Sequence, residues 1–227
     1  MRRILLALLL CCGLSEAQQA IAPVPGEPAN LDALKTRLTQ YHSCTETDCY
    51  TPQMERQADL AIQFLKQSVA AAPPKAKLAM VLDIDETSLS NWAVEVHDDF
   101  GYIPTDSNWC VALHCSPAIP STLRLFREAS KAGVAVFFIT GRPEGQRADT
   151  AANLKAAGFD HWQELYLRPE NHPKSQTTIE FKSGERAKIV AQGYKIILNV
   201  GDQLSDLAGE PQAEHSVKLP NPFYLIP

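Results

Sequence analysis

Three short apolar runs stand out from the polar background: Leu78-Ala79-Met80-Val81-Leu82, Val134 to Ile139, and Ile196-Ile197-Leu198-Asn199-Val200. Each is too short for an ordinary helix and reads as a strand buried on both faces. Glu164 to Leu167 is a further short strand candidate. Between the runs, apolar residues recur at helical spacing. Asn30 is placed to cap a helix beginning at Leu31, and a second helix is predicted over 53–71 with Ala58, Ile62, Leu65 and Val69 on one face, stopped by Pro73-Pro74. Further helices are predicted from Pro120 to Ala132, from Pro143 to Gly158, from Ser183 to Gln192, and briefly after Gly201. Strands alternating with helices imply an α/β fold with a mainly parallel sheet covered on both faces. The two N-terminal helices are expected on one side of that sheet.

Composition shifts divide the chain further. Residues 18–29 hold Pro23, Pro25, Gly26 and Pro28 and read as a flexible leader. Residues 30–76 form a helical segment, and the core occupies 77–227. Within the core, residues 88–116 are rich in aromatics and short polar residues, and read as a small cap insertion. The first 17 residues read as a signal peptide: Arg2 and Arg3, an apolar stretch from Ile4 to Leu10, then Ser15-Glu16-Ala17. Cleavage is expected after Ala17, with Ala20 as second choice. Cys11 or Cys12 offers a lipid anchor as the alternative, disfavoured by Leu10 before Cys11. No later segment is long and apolar enough to span a bilayer.

Four cysteines come after the leader: Cys44, Cys49, Cys110 and Cys115. In an exported chain they imply disulfides, with Cys44–Cys49 and Cys110–Cys115 favoured. Cross-pairing and a four-thiolate zinc site are the alternatives. The net charge of −5 argues against a nucleic-acid polymer as partner. There is no HExxH, P-loop or Gly-x-Ser-x-Gly pattern.

The candidate chemistry sits where the apolar runs end, the edge at which open α/β sheets bind ligands. The first run leads into Asp83-Ile84-Asp85-Glu86-Thr87. Acids at i and i+2 reach a common side if the chain stays extended. The second run leads into Thr140-Gly141-Arg142, and the third into Gly201-Asp202-Gln203-Leu204-Ser205-Asp206. Lys182 lies between them in Phe181-Lys182-Ser183-Gly184-Glu185-Arg186. Buried carboxylates need neutralisation, which a divalent cation and a phosphoryl group would supply.

The order DxDxT, Thr, Lys, GDxxxD resembles the haloacid dehalogenase superfamily of phosphotransferases. The Phe-Lys-Ser-Gly-Glu-Arg segment and the tail Lys218-Leu219-Pro220-Asn221-Pro222-Phe223-Tyr224 make it similar to the secreted acid phosphatase branch, which includes plant acid phosphatases and vegetative storage proteins. The resemblance implies a Rossmann-like three-layer sandwich with strand order 5-4-1-2-3. It implies Asp83 as nucleophile and Asp85 as acid and base, with Asp85 raised in pKa by its ionised neighbour. Thr140 and Lys182 would bind the transferring group, with Gly141 and Arg142 contacting substrate; apart from the resemblance, the cap aromatics Trp92, Tyr102 and Trp109 are candidates either to stack on a substrate ring or to pack the cap onto the core. Asp83, Asp202 and the Asp85 carbonyl would hold Mg2+, with Asp206 behind them on a bound water or on Lys182. Lys188 and Lys174 are rivals for the Lys182 role. The expected substrate is a small phosphomonoester. A narrower enzyme for nucleoside monophosphates and a non-catalytic storage or binding protein are the alternatives.

Overall fold

The structure, a computed structural model, describes residues 26–227. The signal-peptide expectation and most of the leader lie outside the described residues. Five parallel strands, β1 (Leu78–Leu82), β2 (Ala135–Pro143), β3 (Glu164–Arg168), β4 (Lys195–Gly201) and β5 (His215–Lys218), form one sheet. Their order is β3-β2-β1-β4-β5, as the resemblance implies. The all-apolar strand β1 lies at the centre between β2 and β4, where both faces are covered.

Alternation along β1 sends Met80 and Leu82 to one face and Ala79 and Val81 to the other. Helices α2 (Tyr50–Ala71) and α5 (Pro120–Lys131) contribute Met54, Leu65, Leu125 and Phe126 to the first face. Helix α6 (Arg147–Ala156) adds Leu154 there. Helix α7 (Thr178–Ala191) covers the second face with Phe181 and Ile189. Helix α1 (Leu31–Ser43), capped by Asn30, buries no residue fully and leans on α2. It is an outer helix, so only α2 of the N-terminal pair covers the sheet.

Several bounds differ from expectation for identifiable reasons. Helix α2 starts at Tyr50, not Gln53, because Tyr50 is itself buried against the core. Strand β2 continues through Thr140-Gly141-Arg142 to Pro143, with a register shift after Ile139. Pro143 therefore ends a strand rather than opening a helix; a short 3-10 turn precedes α6. Helix α7 begins at Thr178 instead of Ser183. Thr177 and Glu180 form a reciprocal capping box that fixes this start.

The insertion is two short helices, α3 (Trp92–His97) and α4 (Pro104–Ala112). Both favoured disulfides, Cys44–Cys49 and Cys110–Cys115, are present. The first ties the α1–α2 turn and the second closes the end of α4. Among the described residues no helix is long and apolar enough to cross a membrane.

Candidate active site

Strand β1 stops at Leu82, and the Asp83 amide donates to the Val200 carbonyl at 3.1 Å. Alternation places Asp83 on the Val81 side, the face that α7 covers. The early start of α7 puts Lys182 in its second turn, one residue after the core anchor Phe181. Lys182 Nζ thus donates to Asp83 Oδ1 and to Asp206 Oδ1, each at 2.5 Å. All three side chains are buried. No hydrogen bond among the described residues engages Asp83 Oδ2.

Asp206 reaches this position on a short helix, α8 (Leu204–Leu207), whose turn it caps from within: its Oδ2 accepts from the Gln203 amide at 2.8 Å. The side chain lies so close to the end of β4 that a Cβ at Gly201 would collide with it. Glycine is required there for close approach. Arg186, fully buried, donates to the carbonyls of Asp206, Ala208, Gly209 and Pro211. It holds the turn that presents Asp206 without pairing to any carboxylate.

Asp202 is oriented from three sides. Thr87 donates to its Oδ1 at 2.9 Å, and Gln203 and Asn221 donate to its Oδ2 at 2.7 Å each. Oxygen atoms of Asp83, Asp202 and Asp206 lie within 4.8 Å of one another. Burial, then Asp206, raises the Asp202 pKa against the donors Asn221 and Gln203. Burial also carries Asp83 well above the usual carboxylate range; Lys182 opposes this, while Asp206 and Asp202 add to it. Crowded hard oxygens of this kind fit a divalent cation such as magnesium. The Asp85 side chain is outside this cluster.

Asp85 instead faces Arg142, which donates to Oδ1 through Nη2 at 2.7 Å and to Oδ2 through Nε at 3.1 Å. Asn91 adds a donor to Oδ1 at 2.8 Å. Burial disfavours the Asp85 charge, but Arg142 and Asn91 outweigh it and hold its pKa below the usual value. This reverses the expected rise: Lys182 screens Asp83, and the local field at Asp85 is positive. Thr140, fully buried, lies two residues beyond Phe138, the β2 partner of Leu82, and its hydroxyl accepts from the Arg142 amide at 3.2 Å. Gly141 follows it near the end of β2.

Trp92 does not join the group. It stacks on His42 at 3.6 Å and packs against Phe100 and Phe223. It joins cap, N-terminal helix and tail, because three apolar surfaces meet there. Lys188 pairs with Glu185 at 2.7 Å and is largely exposed, so only Lys182 of the two reaches the acids.

Glu86 is a site residue that the sequence pattern does not single out. It sits in left-handed backbone (φ 53°). It accepts from the Asn91 amide and side chain, and from the Tyr224 hydroxyl at 2.8 Å. Burial, with Asp85 next, pushes its pKa up to about 8. Asn221 and Tyr224 belong to the tail motif that the family resemblance includes, so their signal is present in the sequence without a role.

A parallel sheet whose strand ends gather acids around one buried lysine defines a phosphotransferase core of the haloacid dehalogenase type. The family of HAD superfamily, subfamily IIIB (acid phosphatase), matches residues 14–227. The chain belongs to that family and is an acid phosphatase by membership. It is 37% identical to "Acid phosphatase 1" of Solanum lycopersicum over 78% of this chain and 69% of the relative. It is 36% identical to "Stem 28 kDa glycoprotein" of Glycine max over 66% of this chain and 61% of that protein. The solved class C acid phosphatase from Bacillus anthracis, with tungstate bound, shares the fold: TM-score 0.68, 21% identity, 85% of each chain covered.

Proposed function

We propose that the protein is an exported, magnesium-dependent acid phosphatase that hydrolyses small phosphomonoesters through a phosphoaspartate at Asp83. The observation that carries this is the single ammonium of Lys182 shared by Asp83 and Asp206, with Asp202 within cation-bridging distance. Phosphate esters resist attack because nucleophile and phosphoryl oxygens repel, so charge neutralisation and positioning do most of the catalysis. A bound divalent cation would be held by Asp83 and Asp202 and would supply positive charge to the phosphoryl oxygens.

Asp83 attacks phosphorus through Oδ2, the oxygen without a hydrogen bond. The ester P–O bond breaks, and Asp85 gives its proton to the departing alkoxide. Asp85 then takes a proton from water as that water attacks the phosphoaspartate; inorganic phosphate leaves and Asp83 is restored. The depressed Asp85 pKa means that the proton-bearing form grows as pH falls, which favours an acidic optimum. Lys182 balances the charge at the nucleophile, and Thr140 with the loop at Gly141 and Arg142 receives phosphoryl oxygens. The two disulfides support export, because such bonds persist in oxidising compartments.

The test is phosphate release from p-nitrophenyl phosphate by purified protein, in chelator and after magnesium is restored. Turnover that depends on the cation is expected. Full turnover in chelator would remove the metal role, and no turnover under either condition would favour a storage or binding protein.

A further inference from the structure

The C-terminal tail, residues 219–227, leaves β5 and is fastened to the strand-end turns. Asn221 donates to Asp202 Oδ2 at 2.7 Å, and the Tyr224 hydroxyl donates to Glu86 at 2.8 Å. The Ile226 amide donates to Gln203 Oε1 at 3.1 Å, and Ser205 Oγ donates to the Ile226 carbonyl at 3.1 Å. These bonds set Tyr224, Leu225 and Ile226 into the lining of a cavity of about 490 Å³. That volume suits an organic group of moderate size. Asp85, Gly141 and Arg142 line the same cavity. With phosphate at Asp83, the alcohol portion of the substrate lies here, a placement that rests on the proposed function.

The polar side chains of the lining are engaged with one another. Arg142 pairs with Asp85, Asn91 donates to Asp85 and Glu86, and Gln146 donates to Asn108 at 2.7 Å. Glu95, whose pKa is pushed up to about 7 by burial, then by Asp98 and Asp85, is uncharged in acid. The surface left for a ligand is mainly apolar: Val94, Phe100 and Val111 from the cap, Leu225 and Ile226 from the tail. Leu225 is 78% exposed and Ile226 41%, although the Ile226 amide and carbonyl are both bonded. Apolar side chains held in water beside a reacting centre gain only when an apolar group covers them.

We infer that the tail is a specificity element: Leu225 and Ile226, held in place by Gln203 and Ser205, select phosphomonoesters with an apolar alcohol body over esters whose alcohol is too small to reach them.

The test compares the full chain with Leu225→Ser and with the double variant Leu225→Ser/Ile226→Ser. Both strip apolar side chains and leave the backbone anchors and every acid of the site in place. Calorimetry measures the binding of two non-hydrolysable probes, methylphosphonate and 2-cyclohexylethylphosphonate, with magnesium present. KM is then measured for methyl phosphate and cyclohexylmethyl phosphate. In the wild type the cyclohexyl probe should bind about thirtyfold tighter than methylphosphonate, as a filled apolar pocket allows. The preference should shrink to about tenfold in Leu225→Ser and about threefold in the double variant. KM for the cyclohexyl ester should rise in step, while methylphosphonate binding, the methyl ester and circular dichroism stay unchanged. Equal binding of the two probes by the wild type overturns the inference whether or not the variants fold. A preference that both variants keep also overturns it. So does a loss in folded protein that falls equally on both probes, which would make the tail a scaffold only. Probe binding decides these outcomes without turnover; absence of turnover of any ester by the wild type would sink the phosphatase reading instead.

Discussion

At the strand ends, Asp83 and Asp206 share one lysine and Asp202 is held by three side-chain donors; in the cap cavity a few residues away, Glu95 makes no ion pair among the described residues. The first region is built by the core. Asp83 directly succeeds β1, Lys182 rides on α7 beside Phe181, and Asp206 is pressed against Gly201. Three carboxylates there face a single ammonium, so the site still calls for a cation, but its side chains have little freedom. The second region is built from short helices and the tail. The contrast separates two tasks. Chemistry on a phosphoryl group needs pre-set geometry, whereas accepting the rest of a substrate needs only a space that suits it.

The largest effect should come from removing Asp83, the proposed nucleophile. Asp83→Asn is expected to lower p-nitrophenyl phosphate turnover by at least about a thousandfold while the protein stays folded. Unchanged turnover would mean that the crowded cluster is structural only. Next, Lys182→Ala leaves Asp83 and Asp206 buried without their shared cation. Denaturant unfolding should show a loss of about 3–5 kcal/mol, the usual result of breaking a buried ionic group. A loss below about 1 kcal/mol, the size seen for exposed pairs, would place this lysine in a far wetter setting than the structure shows.

The cation and pH give a third comparison. Asp83 and Asp202 have raised folded-state pKa values. Their contribution is fully present below the unfolded-state value and fades as pH rises through the folded-state value. Cation-free protein should therefore melt at a lower temperature at neutral pH than that pair alone would give in mild acid. Magnesium should recover stability at neutral pH, by about 2.7 kcal/mol at a hundred times its dissociation constant. Scanning calorimetry with and without magnesium checks both, and a magnesium shift equal at all pH values would contradict the assignment. The smallest effect is covalent. Reducing Cys44–Cys49 or Cys110–Cys115 opens a short loop, worth about 2 kcal/mol. Thermal melts of single-pair serine variants measure it, and the Cys110–Cys115 variant should also loosen the end of α4.

Much of the strand-end region is legible from sequence because its residues terminate apolar runs. Asp83 and Asp202 directly follow β1 and β4, and Thr140 follows the apolar run of β2. The start of α7 is legible too, in the Thr177-x-x-Glu180 box, although apolar spacing alone points to Ser183. Strand β5 has only four residues and a single buried one, Val217, so periodicity does not locate it. The Asp85 pKa depends on a guanidinium 57 residues away whose direction no local pattern encodes. Trp92 is the opposite case. An aromatic in a cap suggests stacking on substrate, but the nearest apolar surfaces are His42 and Phe223.

The central claim is that Asp83 carries the phosphoryl group between the two halves of the reaction. Acid quenching during turnover, then mass spectrometry of the peptide that holds Asp83, tests it directly. A phosphorylated Asp83 that vanishes in Asp83→Asn is the predicted result. Phosphate trapped on another residue, or turnover persisting in Asp83→Asn, would contradict it.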